Sequence, residues 1–232
     1  MRTRRIVVAL LVVLPFVAVL PFGITVVIYQ SALRDLGDLP RPTPGSKLPR
    51  ILELGLWDDV GERVACFEVD ARWPWTPVTE LLELSLNHDT SARRRWKPRR
   101  PGTRAADRVA SLWLASKPEV RKGKHLQRTV VTVWLSRHWT AAELTQEMAL
   151  RSYFGRGAVG IDQAARAFFG KTPQALEPAE AALLIGLLQS PGRLSPDRHP
   201  ERALARRNLV LDRWDTKGIL HKGDTPRRCR RR

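Results

Sequence analysis

The most informative stretch of the sequence is YFGRGAVGIDQAARAFFGK, residues 153–171. Ile161, Ala164, Ala165 and Phe168 follow the i, i+3, i+4, i+7 spacing of one helix face, so they predict an amphipathic helix. Gly170 comes directly after this pattern, and glycine often ends a helix because it adopts the left-handed conformation without strain. We therefore predict a helix that ends near Gly170 and packs its apolar face on a core.

Helical signals continue on both sides of this stretch. Downstream, PAEAALLIGLLQSP (residues 178–191) opens with a proline and is apolar on every side, which predicts a buried helix. The segment PERALARRNLVLDRW (residues 200–214) predicts another helix with one apolar face. Upstream, Thr140–Glu143 has the pattern of a capping box, whereas Thr129–Leu135 is β-branched and equally compatible with a strand. Helices joined by short loops, with few strand signals, predict an all-α domain.

Composition limits the class of protein. The chain has 232 residues, of which 43% are hydrophobic, so a fully disordered protein is excluded. Its 40 Lys and Arg against 23 Asp and Glu give a net charge of +17, which suits an anionic partner. Two cysteines, Cys66 and Cys229, exclude a disulfide-stapled scaffold and a Cys-rich zinc module. They form one bridge or stay as two free thiols, and we favour the free thiols.

The N-terminal region predicts a membrane anchor. An uncharged run of 24 residues, Ile6–Tyr29, reaches about 36 Å as a helix, enough for a hydrocarbon core of roughly 30 Å. The run is longer than the apolar part of a cleaved signal peptide. Arginines before it orient the N-terminus into the cytoplasm. We therefore predict a single-pass protein of the cytoplasmic membrane whose domain lies on the outer side, with the lipid bilayer and not nucleic acid as its partner.

This prediction divides the chain into four parts. Residues 1–30 are the basic start and anchor, residues 31–50 a Pro-rich linker, residues 51–220 the folded domain and residues 221–232 a basic tail. Within the domain, Arg93–Arg108 is a basic segment that either binds an anionic group or is a solvated loop.

The helical segments resemble a known family. Residues 153–171 are similar to the fourth motif of the peptidoglycan glycosyltransferases, glycosyltransferase family 51, which includes the transglycosylase domains of penicillin-binding proteins and their monofunctional relatives. Residues 178–191 resemble its fifth motif and residues 200–214 its next helix. The matching positions, which we interpret as packing residues, are Tyr153, Phe154, Gly155, Gly157, Gly160, Ala164, Ala165, Phe169, Gly170, Glu180, Ala181, Leu183, Leu184 and Pro191.

The resemblance implies a fold, a substrate and a mechanism. It implies a lysozyme-like helical transglycosylase domain at the outer face of the membrane that acts on lipid II or nascent glycan. A glutamate of the family's first motif takes the proton from the acceptor hydroxyl, and basic residues of the second and third motifs neutralise the leaving pyrophosphate. The resemblance also allows a divalent cation as cofactor and other cell-wall synthesis proteins as partners. The scattered histidines themselves predict no metal site.

The first three motifs depart from the family pattern. The first motif falls near Asn87–Asp89, where no glutamate stands, and the second falls on residues 102–109 and keeps little beyond its glycine. Counted back without gaps, the third motif places Arg128 at its glutamate position, and an arginine cannot be a base. Another register places His125 there.

Candidate site residues follow from these positions. Asp89 and Glu83 are the candidates for the base, and His125 is the candidate for proton transfer near neutral pH. The basic residues of the third-motif region are the candidates for binding pyrophosphate: Arg121, Lys122, Lys124 and Arg128.

Three functional interpretations stay open. In the first, which we favour, the chain is a domain that has impaired or lost catalysis and acts as a binding or scaffolding protein in cell-wall synthesis. It is alternatively a divergent, active peptidoglycan glycosyltransferase, or the non-functional product of a decaying gene. Whether it is an enzyme is therefore left open by the sequence.

Overall fold

The computed structural model describes residues 20–44, 47–86, 100–117 and 124–220. These residues are mostly helical, as the sequence predicts, and include a short antiparallel hairpin. In chain order the elements are α1 (residues 20–36), α2 (Arg50–Asp59), α3 (Thr76–Leu86), α4 (Thr103–Ala115), α5 (Lys124–His138), α6 (Ala141–Arg151), β1 (Tyr153–Gly155), β2 (Ala158–Val159), α7 (Ile161–Phe169), a 3-10 turn (Pro173–Ala175), α8 (Pro178–Leu187) and α9 (Pro200–Thr216).

Helix α1 covers only the end of the predicted membrane span. Most of Ile6–Tyr29 lies outside the described residues, and no helix within them combines the length and apolarity needed to cross a bilayer. The helix runs on to residue 36, into the segment predicted as linker, and buries Tyr29, Ala32 and Leu36 against the core. The end of α1 is therefore packed on the domain.

The strongest local signals are confirmed. Thr140 is the N-cap of α6 and forms a capping box with Glu143, and Gly170 ends α7 in the left-handed conformation at φ 67°. The segment that was equally compatible with a strand belongs to helix α5. Its β-branched residues Val130, Val131 and Val133 are buried, so tertiary burial outweighs their intrinsic preference for strands.

Seven of the 14 positions shared with the family are buried and four are partly buried. The fully buried ones are Phe154, Ala164, Ala165, Ala181 and Leu184. Gly160 has φ 92°, and a Cβ there would lie 2.9 Å from the carbonyl oxygen of Leu150, so only glycine fits. Gly157, Gly170 and Tyr153 are exposed, and Tyr153 is exposed to 50%.

Helix α2 is the centre of the fold, although its sequence carries no clear helical period. It packs against α6 and α8 and buries its apolar residues on several sides, among them Leu52, Leu56 and Trp57. The Trp57 indole donates hydrogen bonds to the carbonyl oxygens of Arg63 and Cys66, each at 3.2 Å. These bonds hold the chain segment that follows α2 against the core.

Cys66 is disulfide-bonded, so the expectation of two free thiols is wrong. The only other cysteine of the sequence, Cys229, lies outside the described residues. Two cysteines far apart in sequence give no local signal for pairing, because pairing depends on how the fold places them.

Three contacts attach α2 to the last helix, α9, and to the residue that follows it. A Cβ on Gly55 would lie 2.4 Å from the Trp214 ring, so the glycine permits this close approach. The Asp58 carboxylate is fully buried and is paired with Arg213, 2.6 Å from its Nε, and with Lys217. Asp59 is paired more loosely with Arg206 at 3.6 Å. Burial raises the pKa of Asp59, and the nearby arginines partly oppose this effect.

We expect Gly55→Ala to lower the free energy of unfolding by about 1–3 kcal/mol, because the new methyl group displaces the buried Trp214 ring. Gly23→Ala, in a helical position with no atom near the new methyl group, is the matched control and should not destabilise the protein. Chemical denaturation of both variants measures the difference, and equal stabilities would contradict the close packing of α2 on α9.

We expect the double variant Arg213→Met/Lys217→Met to lose about 3–5 kcal/mol of stability, since it leaves the buried Asp58 carboxylate without a partner. Adding Asp58→Asn to this variant should restore part of the loss because it removes the buried charge. If the triple variant were no more stable than the double variant in denaturant unfolding, the ion pairs would not be the cause.

Candidate functional site

A pocket of about 260 Å³ lies between α4, α5 and the segment that precedes α3. The pocket brings together residues 102–109, where the second family motif falls, and helix α5. The third family motif falls at the start of α5. Its lining residues are Arg72, Thr103, Arg104, Asp107, Thr129, Thr132 and Val133. The pocket is therefore the place where a family-type pyrophosphate site is expected.

The N-terminus of α4 is built by two long-range contacts. Gly102 is the N-cap at φ 78°, and a Cβ there would lie 2.9 Å from the Cα of Val69, so glycine is required. The Glu62 carboxylate accepts a hydrogen bond from the backbone N–H of Arg104 at 2.7 Å and so replaces a side-chain cap. Burial raises the pKa of Glu62, and hydrogen bonds from the backbone N–H groups at this helix start partly oppose the rise.

Arg72 is the most deeply buried cation of the pocket. Its backbone N–H donates to Ser136 Oγ at 3.0 Å, and its guanidinium donates to Glu80 Oε2 at 2.6 Å. Two buried polar atoms of lining residues, Arg72 Nε and Thr103 Oγ1, have no hydrogen-bond partner among the described residues. A donor on a cation and a hydroxyl of the same pocket wall are groups that the anionic oxygens of a ligand would satisfy.

Arg128, at the glutamate position of the third motif, is paired with Asp107 across the two helices. Its Nε lies 2.6 Å from Asp107 Oδ1, and a second hydrogen bond joins the other carboxylate oxygen. The hydrogen bonds with Asp107 raise the pKa of the Arg128 guanidinium. Asp107 lines the pocket, so Arg128 neutralises the acidic group of the wall.

The other predicted site residues do not line the pocket in the described part of the chain. His125 is exposed near the start of α5. Glu83 and Lys124 lie on α3 and α5, but their side chains are outside the described part, as are Asp89, Arg121 and Lys122 altogether. Within the described residues, no group of three or more His, Cys, Asp and Glu side chains could hold a metal ion.

Sequence reasoning missed the two residues that shape the pocket from outside its helices, Arg72 and Glu62. Both lie in the irregular chain between α2 and α3, where neither periodicity nor spacing assigns a role. The only sequence signal was that charged residues stand in a Trp-rich apolar region, which suggests buried and paired charges.

Comparison with known proteins shows that part of the chain matches a known family. Residues 109–215 match the Transglycosylase family. The chain is 40% identical over 105 residues to penicillin-binding protein 1A of Mycolicibacterium smegmatis, covering 45% of this chain and 13% of that protein. It is 35% identical over 97 residues to penicillin-binding protein 1A of Aquifex aeolicus, covering 42% and 13%.

A longer match extends upstream of the family region. The chain is 33% identical over 181 residues to penicillin-binding protein 1C of Escherichia coli, covering 71% of this chain and 22% of that protein. The chain thus spans less than a quarter of the length of each of these relatives. The family match and the relatives confirm the resemblance stated from the sequence: the chain carries a transglycosylase domain of the peptidoglycan glycosyltransferase family, related to those of the penicillin-binding proteins 1A and 1C.

Proposed function

We propose that this chain binds the pyrophosphate of a lipid-linked glycan, lipid II or its nascent polymer, in the pocket between α4 and α5, and acts in cell-wall synthesis with impaired or lost catalysis. The observation that carries the proposal is the pair of unpartnered buried atoms, Arg72 Nε and Thr103 Oγ1, in the pocket wall. Arg104 adds a second cation. Guanidinium groups suit phosphate oxygens because they offer several donors in one plane.

The impairment of catalysis is proposed from the acidic groups at the pocket. Asp107 is the only acidic residue among the described lining residues, and Arg128 holds both of its oxygens. A carboxylate whose two oxygens are both held by an arginine is not free to contact an acceptor hydroxyl, because the hydroxyl would have to displace the arginine. The chain therefore binds its glycan more readily than it transfers sugar, and a binding or scaffolding role beside other cell-wall synthesis proteins follows.

The proposed location is the outer face of the cytoplasmic membrane, behind a single N-terminal span. The uncharged run Ile6–Tyr29 supports the anchor. The disulfide at Cys66 is typical of proteins outside the cytoplasm, because thiols stay reduced inside it. The basic segment Arg93–Arg108 suits anionic headgroups at that surface. A divalent cation bound with the pyrophosphate is part of the same proposal.

We expect Arg72→Gln to weaken lipid II binding by about tenfold to a hundredfold, which is the worth of a hydrogen bond to a charged group. Binding of labelled lipid II to the full chain in detergent measures the effect. Arg104→Gln should weaken binding as well, and Arg166→Gln, an exposed arginine on α7, is the control without effect. Unchanged binding in both pocket variants, with unfolding temperatures like that of the parent protein, would remove the pocket from the proposal.

The active alternative is favoured by one observation, the position of Glu62. Its carboxylate is bound to the backbone of the lining residue Arg104 and has a pKa raised by burial. A raised pKa makes an ionised carboxylate a better proton acceptor. In this alternative Glu62 is the base, with Asp89 and Glu83 as the other candidates.

The two interpretations differ in a polymerisation assay with labelled lipid II. We expect no glycan polymer at any pH. If polymer forms, its rate should rise as the pH increases through the pKa of Glu62, because the base must be ionised, and should fall about 100-fold or more in Glu62→Gln. Glu201→Gln, an exposed acid on α9, is the matched control. Polymer that disappears only in Asp89→Asn or Glu83→Gln would assign the base to one of those residues.

A further inference from the structure

The contact between Arg72 and Glu80 joins the wall of the pocket between α4 and α5 to helix α3. The Nη2 of the Arg72 guanidinium donates to Glu80 Oε2 at 2.6 Å, and the two side chains are only 11% and 19% exposed. Glu80 lies on α3 and is not among the residues that line the pocket. The most deeply buried cation of the pocket is therefore held by a carboxylate from a helix outside the pocket.

This contact leaves one of the guanidinium donors unused. Arg128 and Arg156 show the complete arrangement: each donates from Nε and from Nη2 to one aspartate, with one nitrogen on each carboxylate oxygen. In Arg72, Nη2 is bonded to Glu80, whereas Nε is buried and has no hydrogen-bond partner among the described residues. A guanidinium binds an anion most strongly when two parallel N–H groups meet two oxygens. Glu80 therefore satisfies this edge of Arg72 incompletely.

A phosphate group suits the same edge better than Glu80 does. Two of its oxygens accept from Nε and Nη2 of Arg72 together, and its remaining oxygens are acceptors for other donors of the wall, Thr103 Oγ1 and the Arg104 guanidinium. A phosphate in this position would lie beside the Glu80 carboxylate, because both would contact Nη2. Two anions at such a distance repel strongly where most of the solvent is excluded. The phosphate and Glu80 therefore compete for Arg72.

The backbone of Arg72 is fixed independently of Glu80. Its N–H donates to Ser136 Oγ at 3.0 Å, and the Ser136 hydroxyl donates in turn to the carbonyl of Val133 at 2.8 Å. Ser136 and Val133 are both buried residues of α5. Arg72 thus stays attached to the pocket wall when its side chain exchanges one anionic partner for another.

Helix α3 is less extensively packed than the helices that form the pocket. Within the described residues, α4 packs extensively on α5 and on α6, and α3 makes no helix–helix contact of that extent. At the start of α3, Thr76 Oγ1 accepts a hydrogen bond from the Trp73 backbone N–H at 2.9 Å, and further along Leu82 is 56% exposed. Elements with few buried contacts are the ones that open locally. Loss of the Glu80 contact therefore loosens α3, which leads directly to Asn87–Asp89, where the first motif falls.

We propose that Glu80 is an autoinhibitory group of the pocket between α4 and α5: it occupies Arg72 in the ligand-free protein, and a phosphate group of the ligand displaces it and releases α3. The inference rests on the proposed function, because the pyrophosphate of the lipid-linked glycan is the anion that competes with Glu80. It goes beyond that function because it couples occupancy of the pocket to the position of α3.

The first test is a titration of the full chain in detergent with inorganic pyrophosphate by isothermal calorimetry. Glu80→Gln keeps the size of the side chain and an oxygen that accepts from Arg72 but removes the charge, so we expect pyrophosphate to bind about five- to tenfold more tightly. Glu201→Gln, which removes an exposed acid on α9, is the matched control and should bind like the parent protein. Equal or weaker binding in Glu80→Gln, or no binding of pyrophosphate to the parent protein up to about 10 mM, would overturn the proposal.

The second test leaves Glu80 unchanged and measures α3 directly. Amide hydrogen exchange of the parent protein, followed by mass spectrometry, should become about threefold faster or more in residues 76–86 when pyrophosphate is added, while residues 200–216 of α9 should not change. Arg72→Gln should abolish the response of α3, because the competing anion then has no guanidinium to bind. Exchange in α3 that does not change in the pyrophosphate-bound parent protein would overturn the coupling of the pocket to α3.

The results separate this inference from the proposed function. If Arg72→Gln weakens lipid II binding but Glu80→Gln does not tighten pyrophosphate binding, the proposed function stands and the autoinhibitory role of Glu80 is overturned. If Arg72→Gln and Arg104→Gln bind lipid II like the parent protein, the proposed function fails. Tighter pyrophosphate binding in Glu80→Gln would then still support the competition at Arg72, with a free phosphate compound as the anion instead of a lipid-linked one.

Discussion

The burial of Asp58 is the constraint on which the described fold depends. Its carboxylate lies at the C-terminal end of the central helix α2, fully excluded from solvent, and is neutralised by Arg213 of the last helix and by Lys217 directly after it. A buried charge is tolerated only when it is paired, so α9 must dock where it does. Gly55 brings the Trp214 ring onto the same helix, and the apolar contact and the ion pairs therefore select one arrangement of α2 and α9.

The same requirement of paired charges shapes the pocket between α4 and α5. Arg128 stands where the family pattern has a glutamate, and Asp107 of the facing helix compensates its charge. The wall stays close to electrically balanced at this point, and Arg72, which is paired with Glu80, and Arg104 add further guanidinium donors. A site of this composition favours the binding of an anion over the removal of a proton. The charge arrangement thus links the departure from the family motif to the proposed loss of catalysis.

Sequence patterns were reliable where a helix has one apolar face or a recognisable cap. The capping box at Thr140 and the stop at Gly170 were predicted correctly, because both depend on contacts between residues close in sequence. Helix α2 escaped recognition because it is surrounded by protein and has no polar face to set a period. Arg72 and Glu62 escaped as site residues because their partners Ser136 and Arg104 lie 64 and 42 positions away.

The sequence by itself determined the family, the mostly helical class and the identity of the groups that could do chemistry, since these depend on residue types, periodicity and local spacing. The tertiary structure alone decided which charges meet. It paired Arg128 with Asp107, brought Arg72 and Thr103 into the wall of one pocket and left Tyr153 half exposed at the pocket that Arg156 and Asp197 also line. Such pairings are long-range, and their energies depend on burial and distance, which only the folded chain defines.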